Sequence, residues 1–147
     1  MLLGVDPGLS GALVILDKGE PVEWMLMPTM VVGTAKRVSA PTLAAWMRKF
    51  EIERAAVEQV GAMPGQGVSS MFSFGHSAGV IQGVLGALEI PVLMVTPQTW
   101  KKAAGLSGTD KDAARSRALQ IWPWWRALDK KGEGQALADA ALIGRLA

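Results

Sequence analysis

Three acidic residues stand alone in otherwise apolar segments of the sequence. Asp6 ends the run Leu-Leu-Gly-Val-Asp before Pro-Gly, Glu58 lies in Ala-Ala-Val-Glu-Gln-Val, and Asp139 lies in Leu-Ala-Asp-Ala-Ala-Leu-Ile. An ionised carboxylate in an apolar interior is costly unless a cation or hydrogen-bond donors meet it. If the fold gathers these three carboxylates, a shared divalent cation would offset their mutual repulsion.

Each of the three also has an ordinary structural interpretation. An Asp before Pro-Gly commonly accepts hydrogen bonds from the backbone of its own turn, and an isolated acid on a strand is more often capped, paired or at a wet edge. Three such residues together favour the metal interpretation. The chain has no cysteine and one histidine, His76. Any metal would therefore be held mainly by carboxylate oxygens, which favours Mg²⁺ or Mn²⁺.

The elements around these acids predict a single α/β domain over residues 1–147. Three strands at 2–6, 11–16 and 21–27 are joined by short turns, which predicts an antiparallel meander. Alternating helices and strands follow, so we expect a mixed five-stranded sheet flanked by helices. This order is that of the RNase H-like fold, in which the ends of the first and fourth strands are adjacent. The remaining predicted segments are a loop at 30–39, helices at 41–50, 69–88, 97–105, 109–122 and 135–145, strands at 54–60 and 91–95, and a connector at 129–134.

Composition excludes several classes of protein. Half of the 147 residues are apolar, which is sufficient for a core and argues against disorder. No apolar stretch approaches the roughly 18 residues of a membrane span, and no leader precedes the first strand. We therefore expect a cytoplasmic protein without a membrane partner. Residues 1–100 carry 6 Lys/Arg against 8 Asp/Glu, whereas residues 101–147 carry 9 against 5. That basic C-terminal third is typical of a solvated surface or of a face toward phosphates.

The sequence resembles the RuvC-type Holliday junction resolvases, especially their short phage-type members, along nearly its whole length. The resemblance lies in GVDPG at 4–8, AVEQV at 56–60 and LADAALIG at 137–144, with TPQTWKKAAGL at 96–106 and Asp110–Lys111 between them. It implies a homodimeric, metal-dependent endonuclease that nicks two strands of a four-way DNA junction symmetrically. Asp6, Glu58 and Asp139 would then be catalytic ligands of two Mg²⁺ or Mn²⁺ ions, with no small-molecule cofactor. The setting would be the nucleoid of a bacterium or of a phage-infected cell.

The resemblance also assigns roles to basic residues. Lys101 and Lys111 would contact the scissile phosphate and its neighbours. Lys102, Arg115 and Arg117 would extend this track along the DNA backbone, although the two arginines equally suit the exposed face of an amphipathic helix. Two further residues in the first long loop, Lys36 and Arg37, would contact a DNA arm.

The sequence departs from the family pattern at two places. Family members usually carry an acid or a histidine three or four residues before the helix Asp, where this chain has Gln135 and Ala136. Glu133 is the nearest carboxylate, and it is either a substitute metal ligand or a solvated loop residue. Gly61 stands where cellular resolvases place an aromatic wedge. The alternative wedges are Met63, Phe72 and Phe74, although the two phenylalanines are more typical of core or interface residues.

Three interpretations of function and two structural expectations remain. Besides a resolvase, the same metal centre suits a flap or branched-DNA nuclease or an RNase H, and the missing fourth acid suits a catalytically weak junction binder. Actin-like and sugar-kinase ATPases also begin with an Asp-x-Gly turn, but they need two lobes, which 147 residues cannot supply. We expect the helix at 69–88 to form the dimer contact through Gly79, Gly83 and Gly86. The tryptophans at 122–125 are expected to form a local core rather than to stack on bases.

Overall fold

The computed structural model describes residues 1–62, 64–106, 108, 110 and 112–147. Their elements follow the predicted order in outline, with an additional hairpin. They are β1 (Leu2–Asp6), β2 (Ala12–Asp17), β3 (Glu20–Leu26), β4 (Thr29–Val32), β5 (Ala35–Val38), α1 (Ala40–Met47), β6 (Arg54–Glu58), α2 (Val68–Ala87), β7 (Val92–Val95), α3 (Pro97–Ala103), α4 (Ala113–Ile121), a 3-10 turn (Arg126–Asp129) and α5 (Lys131–Gly144).

Five strands form one mixed sheet in the order β3-β2-β1-β6-β7. The first three strands pair antiparallel, while β6 pairs parallel with both β1 and β7. The predicted meander and mixed five-stranded sheet are therefore confirmed. Val5 pairs with Val57 in the parallel register of β1 and β6. Asp6 and Glu58 each directly follow that pair, at the same end of two neighbouring strands.

Helices cover both faces of the sheet because its central strands are apolar on both sides. One face packs Leu3, Val5 and Ile15 against α1 and α2. The opposite face packs Val14, Leu16 and Ala56 against α3, α4 and α5. Side chains alternate along a strand, so Glu58 is on the α5 side with Ala56. No helix in the described part of the chain combines the length and the apolarity needed to cross a membrane.

Helix α5 lies directly against β1 because the residues at the contact are small. A Cβ added to Gly4 would overlap the carbonyl oxygen of Ala140 and the backbone nitrogen of Gly144. The alanines of this helix are fully or almost fully buried, at 7% exposure or less. This close approach brings Asp139, one residue before Ala140, to the same face of the sheet as Asp6 and Glu58.

Two of the predicted segments are wrong. Residues 30–39 are not a loop, because β4 and β5 form an antiparallel hairpin through Thr29–Val38 and Val32–Ala35 pairs. The hairpin turns at Gly33, whose φ of 62° suits glycine. The predicted connector at 129–134 is also wrong, since α5 begins at Lys131. Gly134 lies inside this helix and does not end it. Glycine is required there for packing, because a Cβ would overlap the backbone of Leu128.

Candidate active site

Asp6 is the last residue of β1 and accepts a long hydrogen bond at 3.5 Å from the backbone N–H of Gly8. The ordinary turn interpretation of this Asp is therefore partly realised. Asp6 also lines a cavity of about 440 Å³, together with Ser10, Ser70, Ser73 and Ser77. A single weak donor leaves most of the hydrogen-bonding capacity of this carboxylate available.

Glu58 is the last residue of β6, beside Val95 of β7. Its Oε1 accepts a hydrogen bond of 2.8 Å from the indole Nε1 of Trp100. Helix α3 follows β7 after Thr96, which accepts a hydrogen bond from the N–H of Thr99 and so caps the helix. The first turn of α3 therefore brings Trp100 over the end of β6.

Asp139 is held from within its own helix. Gln135, one turn earlier, donates from Nε2 to Oδ1 of Asp139 at 2.9 Å. The Oε1 of the same amide accepts the backbone N–H of Arg115 at 3.3 Å. Because both ends of the Gln135 amide are engaged, its NH₂ group is fixed toward Asp139. Gln135 is thus a neutral donor at the position where the sequence resemblance predicted an acid or a histidine.

Glu58 and Asp139 line one cavity of about 350 Å³, which we call the carboxylate cavity. Two of the three proposed metal ligands are therefore brought together. Lys101 and a third acidic residue, Asp110, also line this cavity. Its lining residues are Glu58, Trp100, Lys101, Leu106, Gly108, Asp110, Ala113, Ala114, Gln135 and Asp139. Asp6 lines the neighbouring serine-rich cavity instead.

The three proposed ligands influence one another electrostatically. Burial raises the pKa of Asp6 to about 6, and the charge of Glu58 adds to this rise. Burial likewise raises the pKa of Asp139 to about 7, with further contributions from the charges of Asp6 and Glu58, while Lys101 and Gln135 act in the opposite direction. Near neutral pH Asp6 and Asp139 therefore favour taking up a proton or another cation.

The donor chemistry of Asp6, Glu58 and Asp139 fits a hard divalent cation, because all three supply carboxylate oxygens. Among the described residues, however, no three acidic or histidine side chains are close enough to hold a metal ion as they stand. Glu58 and Asp139 each have one oxygen bonded to a neutral donor. No hydrogen bond from a described residue reaches the other oxygen of either side chain, so each of these two carboxylates keeps one oxygen available to an ion.

The basic residues differ in availability. Lys101 lines the carboxylate cavity and its Nζ lies 5.5 Å from the centre of the Trp100 ring, and Lys102 is exposed beside it. Arg115 and Arg117 donate to the carbonyl oxygens of Leu128 and Ala104, respectively. These internal bonds favour a structural role for both arginines. The prediction for Lys111 lies outside the described residues.

The remaining predicted residues lie further from the carboxylates. Lys36 and Arg37 are on β5, and the Arg37 guanidinium lies 5.4 Å from the centre of the Phe72 ring. Glu133 pairs with Lys130 at 3.2 Å. The described residues that line the carboxylate cavity do not include Glu133, so its role as a ligand stays a prediction.

The aromatic residues divide into buried and exposed groups. Phe72 and Phe74 are 63% and 37% exposed, so they do not belong to the core, while the expected interface role stays a prediction. Both side chains lie on the exposed side of α2, whose buried face is formed by other residues. Trp122 and Trp125 are almost completely buried, which confirms the predicted local core for these two, whereas Trp124 is 51% exposed and lies outside it. The alternative wedge Met63 lies outside the described residues, as does Thr109, the expected cap of α4.

Sequence reasoning overlooked two residues of the cavity. Trp100 lies in the motif at 96–106, but that motif predicts no role for it. The signal that indicates its position is the helix cap at Thr96, which directly follows the edge strand β7 and begins α3. In the sequence Asp110 has no signal beyond its position next to Lys111, and its place beside Glu58 and Asp139 in the cavity lining comes from long-range packing.

Strand order, strand direction and helix placement define an RNase H-like α/β fold. The structure of T. thermophilus RuvC in complex with Holliday junction substrate is similar, with a TM-score of 0.65 and 15% identity over 97% of this chain and 89% of that chain. A second Thermus thermophilus RuvC structure has a TM-score of 0.58 and 18% identity over 95% and 90% of the two chains. The predicted RuvC resemblance is thus confirmed at the level of the fold. No protein-family model matches the sequence, and no curated protein matches it.

Proposed function

We propose that this protein is a divalent-metal-dependent endonuclease that resolves four-way DNA junctions by paired, symmetric nicks. The observation that carries the proposal is the shared cavity of Glu58, Asp139 and Lys101 at the end of β6, next to Asp6 at the end of β1. It occurs in a chain whose fold matches, over 97% of its length, a RuvC solved with a Holliday junction substrate.

In this proposal Asp6, Glu58 and Asp139 hold two Mg²⁺ or Mn²⁺ ions. When bound, such ions lower the pKa of an attacking water and stabilise the leaving oxygen of the phosphodiester. The protein's own contribution is to supply anionic oxygens at one end of the sheet. Because the pKa of Asp139 is raised to about 7, this carboxyl must lose its proton before it can act as a ligand. Activity should therefore rise with pH through the neutral range.

Lys101 is the cation best placed to meet the DNA backbone at this site, since it lines the carboxylate cavity. Lys102 and Lys111 would extend the contact along the strand, and Lys36 and Arg37 would contact a DNA arm. Contacts of this kind bind phosphates without reading sequence. We therefore expect junction affinity to fall steeply as salt is raised.

A homodimer is part of the proposal because two symmetric nicks need two sites. The outer face of α2 supports it, since Gly79, Gly83 and Gly86 are exposed and a Cβ on any of them would meet no described atom within 4 Å. A second copy of α2 could therefore approach closely. Sedimentation at micromolar concentration is expected to give a dimer, and a monomer throughout would contradict this part of the proposal.

The decisive experiment is cleavage of a synthetic four-way junction with Mg²⁺ or Mn²⁺, alongside linear duplex, flap and RNA–DNA hybrid substrates. We expect paired nicks in the junction that require the metal. Preferential cutting of the flap or of the hybrid would instead identify a related nuclease with the same type of centre. Absence of cleavage and of junction binding under every metal would refute the proposal.

A junction-binding protein with weak or no catalysis is the second candidate. One observation favours it: the described residues bring no three acidic or histidine side chains close enough to hold an ion as they stand. In addition, Gln135 supplies a neutral amide where resolvases usually have a further ligand. Tight junction binding without cutting, with both Mg²⁺ and Mn²⁺, would favour this candidate.

A further inference from the structure

Trp100 contacts two members of the proposed site at once. Its indole N–H donates to Oε1 of Glu58 at 2.8 Å, and the Nζ of Lys101 lies 5.5 Å from the centre of its ring. The second distance is within the range of a cation–π interaction. The side chain is only 2% exposed and belongs to the core between the sheet and α3 to α5. It is therefore rigidly held on one side and faces the carboxylate cavity on the other.

We infer that Trp100 is a positioning residue, which fixes one oxygen of Glu58 so that the other is presented to a divalent cation. This inference rests on the proposed function, in which Glu58 is a metal ligand. Hydrogen bonds from neighbouring groups to metal ligands orient them, and their removal typically costs 10–100-fold in metal affinity or activity.

The chemistry of the indole suits this task. It is a neutral donor with a single N–H and no acceptor, so it orients the carboxylate without competing with a metal cation as lysine or arginine would. Its size allows it to span from the buried core to Glu58, which is 42 residues away in the sequence. The same ring limits the positions available to Lys101, so one side chain orders both an anionic and a cationic group of the cavity.

A purely structural role for Trp100 makes a different prediction. A buried Trp usually needs a partner for its N–H, and Glu58 would then be only that partner. Substitution would reduce stability without changing the metal affinity of the folded protein. Metal binding by the folded, DNA-free protein therefore separates the two roles.

The test is Mn²⁺ binding to the full-length protein, followed by the electron paramagnetic resonance signal of the free ion. We compare wild type with Trp100→Phe, which keeps a packed ring but lacks the donor. Trp124→Phe is the matched control, because the indole of Trp124 also donates to a glutamate, Glu20, at 3.2 Å but at an exposed position. We expect Trp100→Phe to weaken Mn²⁺ binding about tenfold or more, and Trp124→Phe to leave it within twofold.

The outcomes separate the two proposals. If wild type binds Mn²⁺ and both variants bind equally well, the positioning role of Trp100 is overturned while the metal-dependent function stands. If wild type binds no Mn²⁺ and cuts no junction, the proposed function itself fails, and the role of Trp100 fails with it.

Two further measurements cover the case in which Trp100→Phe does not fold, the first on wild type and the second on Trp100→His. In a spectrum of the six ¹⁵N-labelled indoles, added Mn²⁺ should broaden the N–H signal of Trp100 well before the other five, because broadening falls steeply with distance from the ion and the Trp100 indole donates directly to a proposed ligand. Replacement by Trp100→His, which retains a ring N–H, should recover part of the affinity. Equal broadening of all six signals would contradict the inference.

Discussion

Asp139→Asn should stabilise the metal-free protein, although it removes a proposed ligand. In the folded protein the pKa of Asp139 is raised from 3.8 to about 7. Burial is the largest cause of this rise, and the charges of Asp6 and Glu58 add to it. A tenfold change in an ionisation constant corresponds to about 1.4 kcal/mol. The raised pKa therefore corresponds to at most about 4 kcal/mol of stability lost when this carboxyl ionises.

The direction of the pH dependence follows from the same linkage. The folded state binds the proton more tightly than the unfolded chain, so the stabilisation is complete below about pH 4 and is lost as pH rises through about 7. Asparagine is neutral at every pH and can still accept the hydrogen bond from Gln135. We expect wild type and variant to be similar near pH 4, and the variant to be about 2–4 kcal/mol more stable near pH 8.

Urea unfolding in the presence of a chelator measures this difference. A slope of about 2 kcal/mol per molar urea converts it into a midpoint shift of about 1–2 M near pH 8. Asp129→Asn is the control, because Asp129 pairs with Arg126 at an exposed position, where an ion pair contributes at most about 1 kcal/mol. Added Mg²⁺ should stabilise wild type but not Asp139→Asn. A variant that is no more stable than wild type near pH 8, or equally shifted near pH 4, would refute the reasoning.

Three further predictions concern cleavage and packing. Asp6→Asn should abolish junction cleavage and leave binding equal or tighter in a gel-shift assay, because a carboxylate repels DNA phosphates until a cation is bound; wild-type cutting would exclude its metal role. Lys111→Ala, chosen from the sequence resemblance, should lower the cleavage rate with little change in the unfolding midpoint. An unchanged cleavage rate would exclude the proposed role of this lysine. Gly4→Ala should destabilise the protein by about 3 kcal/mol, since its Cβ would overlap the backbone of α5. The matched Gly132→Ala change, where a Cβ meets no described atom within 4 Å, should be neutral or stabilising by up to about 1 kcal/mol in the same unfolding assay.

Much of the fold could be read from local patterns. The apolar runs ending at Asp6 and near Glu58 predicted two strands, and the turn residues between the first three strands predicted their meander. The small residues around Asp139 predicted the close packing of the last helix. These signals are local because side-chain alternation, turn chemistry and residue size act over a few positions. The same patterns failed for the β4–β5 hairpin and for the start of α5, where Gly134 is a packing residue although glycine commonly ends helices.

The sequence determined which acids stand in apolar surroundings, and the order of strands determined that Asp6 and Glu58 end side by side. How each carboxylate is held depends instead on contacts between elements that are far apart in the sequence. The bond from Trp100 to Glu58 joins residues far apart in the chain, and the Gln135 amide depends on α4 for its orientation. Such contacts are set by the packing of whole elements against one another. For that physical reason no local pattern specifies which oxygen is bound and which one faces the cavity.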